Sequence, residues 1–76
     1  MAASVKHLWR GAFNYRQSVV ILYTYAYTKR QAWLVFSRRL AKKHDVAPGV
    51  VMALFDGSRA NYEVTIEVKI EELEGV

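Results

Sequence analysis

The side chains with the clearest chemistry to offer are the cations Lys29, Arg30, Arg38, Arg39, Lys42 and Lys43, which stand in a stretch with no acid among them. Clustered cations bind phosphate by charge and need no base readout. They point to a nucleic-acid phosphate backbone or to an acidic protein surface as partner. Tyr23, Tyr25 and Tyr27, with Trp9 and Phe13, offer a second chemistry, the stacking of bases on aromatic rings.

Catalysis finds little to work with. His7 and His44 lie far apart, and the sequence contains no HExxH, no Cys-His pair and no glycine-rich phosphate loop. Glu63, Glu67 and Glu71 would repeat along one strand face at about 13 Å, too far for a shared metal or an acid-base pair. No catalytic residue, no metal ligand and no cofactor is expected; the chain reads as a binding protein and not an enzyme.

Residues Leu40 to Gly57 carry a two-helix pattern. Ala41 is a small residue placed to pack between helices, Asp45 a turn residue four on, Val46 the apolar residue after it, and Val51 and Leu54 apolar residues that would lock the second helix. This spacing resembles helix-turn-helix DNA-binding motifs of the Lac-repressor type, with Asp56-Gly57 closing the second helix. The turn position prefers glycine, and Asp is among the few other residues that accept left-handed geometry. The positions that would face a major groove, Ala47, Pro48, Gly49, Val50, Met52 and Ala53, hold no side-chain donor or acceptor. Base readout is therefore not expected from this helix. Its Val50, Met52 and Ala53 suit a protein partner instead, in an adaptor or inhibitor of the kind a phage or mobile element carries.

These groups need elements to position them. His7 to Tyr15 and Val19 to Tyr27 are rich in β-branched and aromatic residues and read as a hairpin closed by Arg16-Gln17-Ser18. With Tyr15 facing Val19, the pairs Phe13/Ile21, Gly11/Tyr23, Trp9/Tyr25 and His7/Tyr27 follow. The tyrosine row then joins the core side, and Leu8, Arg10, Ala12, Asn14, Val20, Leu22, Thr24 and Ala26 take the other. Thr28 is the expected N-cap of a helix running to His44, with Ala32, Trp33, Phe36 and Leu40 on its apolar stripe. Pro48 starts a shorter helix to Phe55. Asn61 to Ile70 alternates as a strand, with Tyr62, Val64, Ile66, Val68 and Ile70 on one face.

The expected fold is α+β, in the order ββααβ: a three-stranded antiparallel sheet of order 2-1-3 with one long and one short helix on one face. The third strand would be an edge, open to homodimerisation. At 76 residues, 53% of them hydrophobic, the chain is expected to form one domain over 1–76, with 1–6 and 71–76 frayed. The absence of cysteine fits a reducing compartment, no apolar run is long enough to span a membrane, and no export signal is evident, so a cytoplasmic location is expected. Charge is polarised: residues 1–44 hold nine Lys/Arg and no acid, residues 45–76 seven acids and two bases. The basic half is the expected contact surface.

Overall fold

A computed structural model describes residues 6–69. It shows the elements β1 (His7–Tyr15), β2 (Ser18–Ala26), α1 (Lys29–His44), α2 (Pro48–Leu54) and β3 (Tyr62–Lys69). The strands form one antiparallel sheet of order β2-β1-β3, with the α+β architecture and the topology that the sequence implies. Among the described residues, no helix is long and apolar enough to cross a membrane. The expected fraying of 1–6 and 71–76 concerns residues outside those described, Lys6 excepted, as does Ile70 at the end of the expected third strand.

The hairpin register differs from the expected one by a single residue. Arg16 and Gln17 both take positive φ, 51° and 67°, and close a two-residue turn of the kind that continues the right-handed strand twist. Tyr15 therefore faces Ser18, and the pairs are Phe13/Val20, Gly11/Leu22, Trp9/Thr24 and His7/Ala26. Because side chains alternate with period two, a slip of one residue moves all of β2 to the other face. Val20, Leu22 and Ala26 turn toward the helices, while Val19, Ile21, Tyr23 and Tyr25 turn away from them. An Arg-Gln pair is an unusual choice for this turn, which favours Asn-Gly.

The core lies between the sheet and the helices. Phe13, Phe36, Phe55, Leu40 and Val51 are fully buried. Phe13 is their centre: its ring meets Phe36 at 5.7 Å and Phe55 at 5.1 Å edge-on, and stacks on Tyr62 at 5.7 Å. Such contacts add to the burial of large apolar area. Gly11 makes the close approach possible, since a Cβ there would lie 2.6 Å from both the Phe13 and Phe36 rings. Each tryptophan satisfies its indole N–H on a backbone carbonyl, Trp9 on Ala26 and Trp33 on Phe55, both at 2.9 Å. The second bond ties α1 to the end of α2.

Helix ends follow their sequence signals. Thr28 is extended, and its hydroxyl accepts the Gln31 N–H at 3.1 Å. At the other end Asp45 is left-handed, its N–H donating to Lys42 and the Val46 N–H donating to Ala41, which satisfies two carbonyls of the last turn. In β3 the ladder shifts register between Leu8 and Trp9, so that Trp9 faces Ile66 but Leu8 faces Val68. The strict alternation expected from Tyr62 to Ile70 is thus interrupted after Ile66, which is itself 39% exposed.

Candidate nucleic-acid interface

Helix α1 buries Ala32, Phe36, Ser37, Leu40 and Ala41 and leaves Arg38, Arg39, Lys42 and Lys43 exposed. At 100° per residue these four cations span about 140° of the helix surface, with half-buried Val35 among them and buried Ala32 two turns earlier at the angle between Arg39 and Lys43. Arg39 fixes where that sector lies. Its Nη1 donates to the Tyr23 carbonyl at 2.6 Å, so the basic flank stands over the free edge of β2. In a two-residue hairpin the flanking pair exchanges both ladder bonds, which leaves the backbone groups of Val19, Ile21, Tyr23 and Tyr25 pointing outward. Arg39 occupies one of those outward carbonyls.

The four cations differ in what the fold alone accounts for. Lys42 and Lys43 sit in the last turn of α1, where the helix dipole favours positive charge. Arg39 has its carbonyl. Arg38 lies earlier than the last turn and faces Lys42 one turn on, a like-charge pair that costs a few tenths of a kcal/mol. Among the described residues no hydrogen bond or ion pair offsets that cost at Arg38, which a bound anion would.

Lys29 and Arg30 do not join this flank. Arg30 precedes Arg38 by two turns, about 12 Å along the axis. Both residues line a different cavity of about 520 Å³, with Trp33, Phe55, Asp56, Tyr62 and Val64. They stand in a first helical turn that has no acid, where the dipole disfavours them. The Asp56 carboxyl across that cavity is held below its ordinary pKa by hydrogen bonds from the Ser58 side chain and backbone.

The feature that the sequence reading placed in the core is on the surface. Tyr23, Tyr25 and Tyr27 are 47%, 55% and 44% exposed. Tyr23 and Tyr25 lie on the sheet face opposite the helices, with Arg10 and Leu8 as cross-strand partners. Tyr27 follows β2 directly; the Lys6 ammonium lies 5.5 Å from its ring centre. A groove of about 350 Å³ joins this row to the basic helix, lined among others by Lys6, Tyr25, Tyr27, Gln31 and Arg38. The expected three-residue loop puts the tyrosine row in the core and so hides its pairing with Arg10 across the open face. The two-residue loop Arg16-Gln17, which puts Tyr15 opposite Ser18, carries no glycine or asparagine to signal it in the sequence.

Helix α2 buries Val51 and caps with buried Phe55, while Val50 and Ala53 are exposed and Met52 is half-buried. Leu54, expected to lock this helix, is 40% exposed, and Phe55 holds the buried place instead. One side of α2 is therefore core and the other is presented. The two histidines sit at opposite ends of β1: His7 rests edge-on to Trp9, and His44 packs on Tyr15 at 4.3 Å. Among the described residues no group of His, Asp or Glu gathers as a metal site. No protein-family model matches the chain, and no curated protein or solved structure is detectably similar to it.

Proposed function

We propose that this chain is a non-enzymatic nucleic-acid-binding domain that grips phosphates with Arg38, Arg39, Lys42 and Lys43. The observation that carries the reading is the acid-free basic flank of α1 beside the β2 edge, with Arg38 exposed and, among the described residues, without an acidic partner. β1, β2 and α1 contain no acid at all, so the charged side chains these three elements bring to this edge are all cations. Lys29 and Arg30 are a secondary contact, reached only by a longer strand. A cysteine-free chain of this kind suits a reducing cytoplasm.

Four phosphate contacts predict a steep salt dependence. Between about 50 and 200 mM salt the affinity falls about 50-fold for a single strand and about 150-fold for a duplex. Fluorescence anisotropy with labelled oligonucleotides measures this, and Arg38→Glu or Lys42→Glu flattens the slope. A salt-independent affinity, or an Arg38→Glu variant that binds like the parent, overturns the reading. The presented side of α2, with Val50 49% exposed beside Met52 and Ala53, favours a second reading as a protein-contact module. There Met52→Glu would abolish binding to a protein partner while leaving nucleic-acid binding intact.

A further inference from the structure

The open face of the sheet raises a question of ligand class that the basic helix leaves open. We infer that the Tyr23, Tyr25, Tyr27 row stacks the bases of a single-stranded nucleic acid whose phosphates run along the basic flank of α1. This rests on the phosphate-binding reading above and adds the class of strand.

Exposure is the first observation. Two of the tyrosines project from a sheet face that no described helix covers, and the third continues the line. Alternate residues on a strand stand about 6.7 Å apart, roughly twice the 3.4 Å rise of a stacked strand. Successive bases of a continuous helix cannot meet rings at that spacing, but those of an extended, unstacked strand can. A duplex also hides its base faces in its own stack, so only single strands, loops and ends can offer them to tyrosine.

Charge is the second observation. The row is bordered by cations: Arg10 opposite Tyr23, Lys6 beside Tyr27, Arg38 across the groove from Tyr25 and Tyr27. The described acids of the sheet, Glu63 and Glu67, lie on β3, at the other edge. A polyanion is therefore directed along β2 and away from β3, which places its sugar-phosphate chain over Arg38, Arg39 and Lys42 and its bases over the tyrosines. Two alternative occupants fit less well. A second copy of this chain would bring like charges together, and Arg39 already occupies a central carbonyl of the β2 edge. A duplex would meet the cations but leave the rings unused.

The test compares binding of an oligonucleotide of about 12 nucleotides, as single-stranded DNA, single-stranded RNA and duplex, by the full chain and its variants at about 50 mM salt. Single strands should bind more tightly than the duplex. Tyr25→Thr and Tyr23→Thr should each weaken single-strand binding about 5- to 150-fold and leave duplex binding unchanged. Tyr25→Phe, which keeps the ring, should bind within about twofold of the parent. Arg38→Glu should weaken both classes.

Equal or tighter duplex binding, or tyrosine variants without effect on single strands, overturns the stacking inference while the phosphate reading stands. Absence of binding to any of the three removes both. Self-association that Tyr25→Thr abolishes would show the face to be a dimer interface and would likewise overturn the inference.

Discussion

The two faces of the sheet draw on the same residue types and use them differently. On the covered face Trp9, Phe13, Tyr15 and Val64 each retain less than a tenth of their surface, interlocked with Phe36, Leu40, Val51 and Phe55 from the helices. On the open face Val19, Ile21, Tyr23 and Tyr25 keep between about two-fifths and two-thirds of theirs. Hydropathy does not separate the two sets, because a tyrosine on either face reads alike. What separates them is parity, and parity in β2 is set by how many residues turn the hairpin. These exposed aromatic and aliphatic side chains, bordered by cations, are the surface to which the proposed stacking is assigned.

The covered face depends most on Phe36. Fully buried and edge-on to Phe13, it should cost about 3–5 kcal/mol when changed to alanine, measured by urea unfolding. In a domain this small such a loss leaves much of the population unfolded. Gly11→Ala tests the same face from the opposite direction, by adding volume. Its Cβ would press on two ring edges that have no free space, so a loss of about 1–3 kcal/mol is expected. Were the sheet register one residue different, Gly11 would still be central, but the cross-strand partner opposite it would be Tyr23 and not Leu22.

The turn decides which side chains of β2 reach each face, because it sets the parity. Gln17 holds φ at 67°, a conformation that costs a side-chain-bearing residue about 1–2 kcal/mol and glycine little. Gln17→Gly should therefore raise stability, by about 1 kcal/mol in the same unfolding measurement. A three-residue loop would not show this gain, since glycine there would chiefly add freedom to the unfolded chain. A gain locates the turn at Arg16-Gln17 and with it the outward placement of Tyr23 and Tyr25.

Much of the fold was legible in the sequence. Thr28 marked the start of α1, Pro48 the start of α2, and the hydrophobic runs the strands and their order, because each signal is local: a hydroxyl beside free N–H groups, a ring with fixed φ, a run of β-branched residues. The hairpin register was not legible for a physical reason. Arg16-Gln17 lacks the glycine or asparagine that announces a two-residue turn, and the core decides between registers only through helix contacts distant in sequence. At the candidate site, Arg38, Arg39, Lys42 and Lys43 could be read as one patch because α1 alone arranges them. Lys29 and Arg30 separate from that patch because α2 and β3 build a different cavity around them. The tyrosine row depends on the register and was lost with it.

The smallest effect is the most discriminating. Tyr25→Thr removes a large aromatic side chain from a strand, and for a core tyrosine paired with Trp9 the loss would be several kcal/mol. In the observed register Tyr25 is 55% exposed and faces Leu8 across the open face, so only a cross-strand contact is lost. Such pairs contribute about 0.2–1 kcal/mol, and threonine keeps a β-branched residue in the strand. The unfolding midpoint should therefore hardly move, with a stability change below about 1 kcal/mol. A large destabilisation would place the tyrosine row back under the helices. A near-neutral result leaves this ring with no structural duty that accounts for its size, which is the condition a stacking surface has to meet.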